Sequence, residues 1–294
     1  MHARKSLLIT ILIVATFSLI LSRFFYPEVR ESLTYFPVDP TLAFLTAETK
    51  LTLLNEKDND EYMVEWETYS ETDKKVYLRQ DISFLYTDGV LSDTMSEWKE
   101  EVSLMENGKK LKGEDSSFIQ SISLHHAEVH LQDDVIKSAQ KMTSDALYII
   151  DSSFSPLESF RTPNNKEQEE WKKILDHVIA QHLQYSWNEL IQHFQINREE
   201  YHELTLLDLA DYNDKPLPGL DQEASQQVLG QLWEGLYKNF LLGIKLSPND
   251  TISPIGSKMP LILINKDLTN IYILIEGKNG EKIRLIQEIS SKND

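Results

Sequence analysis

The chain of 294 residues contains no cysteine. That absence excludes disulfides, thiolate zinc sites, iron–sulfur clusters, thiol nucleophiles and a lipid-bearing cysteine anchor. Positive charge is scarce as well. Twenty-nine Lys and Arg stand against 47 Asp and Glu, a formal net charge of -18. Such a surface repels phosphate backbones, so nucleic acid is not an expected partner. No phosphate-binding glycine loop and no Gly-x-Ser-x-Gly elbow occurs. The remaining near-motifs are incomplete. His202-Glu203 opens a metalloprotease-like pattern, but Leu206 holds the second histidine position. Glu199 and His202 form a lone Glu-x-x-His pair without the partners a di-iron bundle needs. Ser138 and Lys141 fit Ser-x-x-Lys, yet neither Ser-Asp-Asn nor Lys-Thr-Gly follows.

One long apolar run is present. Residues 6–22, SLLITILIVATFSLILS, carry no charge, proline or glycine. As a helix they approach the short limit for crossing a bilayer. Arg4 and Lys5 precede the run, and Phe24, Phe25 and Tyr26 follow Arg23 as candidates for an interfacial belt. A cleaved signal calls for a small-x-small site after the run, and ILSRFF stands there instead. The expectation is an uncleaved, single-pass signal anchor over 6–26 behind a tail at 1–5. The short tail and the acidic bulk place the N-terminus inside and the main body outside the cytoplasm. Asn, Lys and Ile usage together with the missing cysteine is that expected of an exported bacterial protein.

Behind the anchor, Pro27, Pro37 and Pro40 mark a stiff connector over 27–45. Residues 46–151 read as strands. In 61–70, Tyr62, Val64 and Trp66 alternate with Glu65 and Glu67. In 75–86, Val76, Leu78, Ile82 and Phe84 face a core, and Arg79, Asp81 and Ser83 face out. Asp88-Gly89 and Asn107-Gly108 are tight-turn signals. Residues 163–244 read as helical. Asn165 with Gln168 opens one helix, with a stripe through Trp171, Ile174, Leu175, Val178, His182, Leu190, Ile191 and Phe194. Asn197 with Glu200 opens a short helix to about Ala210, and Asp221 caps a third. Residues 259–289 form a three-strand meander. The order predicts one extracytoplasmic α+β body at 46–294, antiparallel at first, whose final strands complete the first sheet.

Chemistry concentrates in Leu124–Leu131, LHHAEVHL. As a strand it puts His126, Glu128 and His130 on one face and His125, Ala127, Val129 and Leu131 on the other. A His-x-Glu-x-His strand offers three ligands to zinc or another divalent metal. The apolar opposite face makes an ordinary strand with a solvated histidine face the preferred reading. His182 reads as a hydrogen-bonded core histidine. Among the tryptophans, Trp187 lies in the polar stretch YSWNE and is the candidate partner contact. The expected function is a membrane-anchored binding or scaffold protein with a protein partner and no cofactor. The alternative is a metal-dependent hydrolase built on His126, Glu128 and His130.

Overall fold

The computed structural model describes residues 34–58, 61–153, 155–247 and 250–289. The expected anchor at 6–26 lies outside the described residues. Among those described, no helix is long and apolar enough to cross a membrane. The protein is β-rich, with a few helices packed against a nearly closed, barrel-like sheet.

That sheet contains β1 (Phe44–Asp58), β2 (Glu61–Thr87), β3 (Val90–Gly113), β4 (Ser117–His130), β5 (Ile136–Ser152) and β6 (Ser155–Phe160). All its strand pairs are antiparallel. Strands β2 and β3 form one long ribbon, turned at Asp88 and Gly89 with φ of 51° and 78°. Positive φ at both positions is what a two-residue primed turn requires. The ribbon folds over where its register shifts between Glu71 and Val76. The first half of β2 then pairs with β1, the second with β4. Folding over brings distant parts of one strand together. Ser70 donates to Asp81 at 2.8 Å, and Lys109 on β3 meets Asp93 of the same strand at 2.7 Å. On the other side, β1 reaches β5 through side chains.

Rolling the sheet encloses a face that an open sheet would show to water. The enclosed space is layered. Leu51, Val64, Trp66, Leu85, Met95 and Ile149 fill one end. Leu42, Val76, Ala127, Val129 and Ala139 fill the other. Between them lie Ser70, Arg79, Asp81, Ser83, Ser123 and His125, all buried. Arg79, Asp81 and Ser83 are therefore not on a water-facing side, as strand alternation suggests. Asn107-Gly108 likewise makes no turn. It continues β3 opposite Thr68 and Glu67.

The main core lies on the outer face of the second half of β2 and of β4 and β5. Here α1 (Lys166–His193) and α2 (Gln222–Leu236) pack over Phe84, Ile122, Leu124 and Met142. Asn165 caps α1 by accepting from Gln168 N at 2.9 Å. Its inward face is Leu175, Ile179, Leu183, Ser186 and Leu190. Ile174 and Val178, assigned to that stripe from sequence, are exposed. Asp221 caps α2 through Ala224 N at 2.8 Å.

The expected helix after Asn197 is a single 3₁₀ turn, Arg198–Glu200, followed by strand β7 (Tyr201–Thr205). Strand β7 pairs with β10 (Leu261–Asn265), which continues into β11 (Asn270–Glu276) and β12 (Lys282–Glu288). The meander thus builds its own four-stranded sheet with β7 and does not complete the first. A short hairpin, β8 (Ile244–Ser247) and β9 (Asp250–Ile252), stands apart. The described residues form one compact unit. Even the described part of the expected connector is docked. Ser138 donates to the carbonyls of Phe36 and Pro37 at 2.6 and 2.9 Å, and Asp39 N donates to Ser138 O at 2.7 Å.

Candidate functional site

The histidine strand is β4, and both of its faces are covered. His126 and Glu128 are buried, with His126 Nε2 3.1 Å from Glu128 Oε1. Their face is not solvated, because α2 lies over it. Gln140, directly across from His126, donates to the Gln226 carbonyl of that helix at 2.8 Å. Tyr35 closes the same region against Gly230, where a Cβ would stand 2.5 Å from its ring. His130 does not join the pair. It is exposed and stacks on Tyr77 with ring centroids 3.7 Å apart. Among the described residues, no group of three or more His, Asp or Glu side chains is placed to hold a metal ion.

The neighbouring His125 is the histidine that the sequence pattern passed over. It points into the rolled sheet and is fully buried. Its Nδ1 lies 2.8 Å from Asp81 Oδ2, and its Nε2 lies 2.9 Å from Thr143 Oγ1. Asp81 also accepts from Ser70 at 2.8 Å and sits 3.7 Å from the Arg79 guanidinium. Arg79 donates to Ser103 O at 2.8 Å and bonds to Ser70 Oγ. Burial lowers the Arg79 pKa, and Asp81 opposes that shift.

Thr143 carries this chain of polar groups to the line where β1 meets β5. Its hydroxyl lies 2.6 Å from that of Thr49, which donates to Ser123 at 2.7 Å. Further along, Asp145 accepts from Leu51 N at 2.7 Å, and Arg161 donates to Leu51 O at 2.8 Å. These two side chains supply the acceptor and donor that a neighbouring strand would otherwise provide. A cleft of about 500 Å³ opens over this line, with Thr49, Thr143, Asp145 and Arg161 among its walls.

Trp187 lines a second opening. It is half-buried at the junction of α1 with the second sheet, and its indole N–H donates to Met259 O at 2.9 Å. A groove of about 320 Å³ runs beside it over Phe118, Ile179, Leu183 and Met259. Asp176 and Asp208 stand at its edge. Asp176 accepts from Tyr148 and Lys172 at 2.7 and 2.5 Å. Burial, then the bond to Asp176, pushes the Tyr148 phenol up to about 12. Asp208 accepts from Thr205 N at 2.7 Å. An apolar floor, a fixed aromatic wall and an acidic edge suit a partner side chain that is apolar and flanked by basic residues.

Comparison with protein-family models, with curated proteins and with solved structures gave no match.

Proposed function

We propose that the chain is a single-pass, membrane-anchored binding module with its main body outside the cytoplasm. It engages a protein partner through the Trp187 groove. The groove is the observation that carries this reading. Its floor is apolar, its tryptophan is held by an internal hydrogen bond, and Asp208 stands at its edge beside Asp176, which is paired with Lys172, in a chain of net charge -18. The apolar run at residues 6–22 with Arg4 and Lys5 ahead of it supports the anchor.

Two measurements test the two halves. The full chain is expected in the carbonate-resistant membrane fraction with its N-terminal residues intact by mass spectrometry. A mature chain starting near residue 23 rejects the anchor. For the groove, the probe is a fluorescent peptide with a leucine between lysines, compared with its glutamate analogue. The lysine peptide should bind better, and salt should weaken it, since exposed charges are screened over about 8 Å at physiological ionic strength. Ala180 lies at the groove and is exposed, so Ala180→Arg adds bulk and positive charge there without touching the core. It should abolish peptide binding and leave the melting temperature unchanged. Equal binding by wild type and variant rejects the groove.

A further inference from the structure

We propose that Thr143 is a nucleophile for acyl transfer from a carboxylic ester, with His125 as its general base and Asp81 as the group that orients His125. This inference is independent of the partner groove. It stands on three contacts in series. Asp81 Oδ2 to His125 Nδ1 is 2.8 Å, and His125 Nε2 to Thr143 Oγ1 is 2.9 Å. Thr143 in turn lines an open cleft of about 500 Å³. A nucleophile within reach of a base, itself held by a third group, is the arrangement by which a hydroxyl is activated.

The surroundings fit the roles. With the Nδ1 proton given to Asp81, Nε2 is left to accept the Thr143 proton. Asp81 is held by Ser70 at 2.8 Å and by Arg79 at 3.7 Å, so it stays fixed while His125 gains charge. A donor for the developing oxyanion is present in the backbone. Met142 N donates to Asn213 Oδ1 at 2.8 Å, away from β4. Strand alternation turns the N–H of Ser144, two residues on, toward the same outer side, where Ser144 lines the cleft. At rest Thr49 gives its own proton to Ser123, so its 2.6 Å contact takes the Thr143 proton; an incoming acyl group that displaces Thr49 frees that proton for His125.

The step balances without another reagent. Thr143 Oγ1 bonds to the ester carbonyl carbon as its proton moves to His125 Nε2. The carbon–alkoxy bond breaks, and His125 returns the proton to the leaving alcohol. Water then adds to the acyl-threonine by the same route, its proton passing through His125 back to Thr143 as the acid leaves.

The test treats the full chain in detergent with an alkyl fluorophosphonate. Thr143 attacks phosphorus, fluoride leaves, and His125 takes the proton, so mass spectrometry should find the adduct on the Thr143 peptide. p-Nitrophenyl acetate hydrolysis is measured beside it. Thr143→Val, close in shape, should lose both the adduct and the hydrolysis while still unfolding in one cooperative transition, a few degrees lower because His125 loses a hydrogen-bond partner. Thr143→Ser should retain both. His125→Gln should slow labelling by about 10²–10⁴-fold. A folded wild type with no adduct on Thr143 overturns the proposal, as does Thr143→Val hydrolysing the ester at the wild-type rate.

Discussion

At the scale of the residue, Asp81 decides most about the interior. It binds the Ser70 hydroxyl and the His125 imidazole and faces Arg79, whose side chain is 0% exposed. Asp81→Ala leaves that guanidinium buried without its counter-charge. Breaking one partner of a buried pair costs about 3–5 kcal/mol, and urea unfolding should show a loss of that order. A loss below about 1 kcal/mol would mean that water reaches Arg79 once the carboxylate is gone. Trp187 shows the same dependence on surroundings. Its internal hydrogen bond and half-buried ring predict that Trp187→Ala costs stability well beyond the roughly 0.5 kcal/mol of a surface change. For that reason Ala180→Arg is the cleaner test of the groove. His182 supplies a pH effect. Burial first, then Lys258, holds its pKa below the ordinary 6.5, while Asp88 and Glu276 pull the other way. The unfolded chain therefore takes up this proton first. The stability that neutral His182 contributes is full above pH 6.5 and is lost as pH falls below it. The difference in unfolding free energy between wild type and His182→Gln should shrink between pH 7 and pH 5. A difference that stays constant over that range rejects the assignment.

At the scale of the element, α1 shows why periodicity alone chose the wrong edge of a stripe. Branched apolar residues occur side by side at Ile174 and Leu175, and again at Val178 and Ile179. Each pair straddles the boundary between the buried and the open side, and a repeat of 3.6 does not say which member is covered. Packing turns Leu175, Ile179 and Leu183 inward and leaves Ile174 and Val178 outside. Thermal or chemical melts should separate the neighbours. Ile179→Ala is expected to cost about 2–5 kcal/mol, whereas Val178→Ala should stay within about 0.5 kcal/mol. Equal losses would mean that α1 is rotated. The segment after Asn197 teaches a related point. The capping signal is real, since Asn197 Oδ1 accepts from Glu199 N at 3.4 Å. The turn nonetheless ends at Glu200, because Tyr201–Thr205 find backbone partners along all of β10. Five residues in a ladder outweigh a short isolated helix, whose first turn is costly to form.

At the scale of the whole molecule, the body begins earlier than residue 46. Tyr35 lies against Gly230, Asp39 and Leu42 are buried, and Ser138 bonds to three residues of the 36–39 segment. A chain starting at residue 34 should melt in one cooperative transition. One starting at residue 46 should melt several degrees lower, because it loses these contacts and Phe44, which sits 4.9 Å beneath the Arg79 guanidinium. Identical melting curves would show that the segment contributes nothing to the fold.

The sequence by itself determined the local grammar of this protein. Alternation marked the strands, Asp88-Gly89 marked the hairpin, Asn165 and Asp221 marked two helix starts, and the 259–289 meander was legible strand by strand. Those features depend on neighbours a few residues away. It also set the acidic charge, which needs no fold. The roll of the first sheet was decided only by the tertiary structure. Period-two alternation separates two faces but cannot say whether the polar one meets water or the inside of a barrel. For that reason Arg79, Asp81 and His125 read as ordinary surface or strand residues. Their meeting depends on β2 folding over at residues 71–76 and on β4 and β5 lying beside it. His125 and Thr143 are 18 residues apart, and His125 and Asp81 are 44 apart. No local pattern spans such distances. Chain closure over them is set by the packing of the whole sheet.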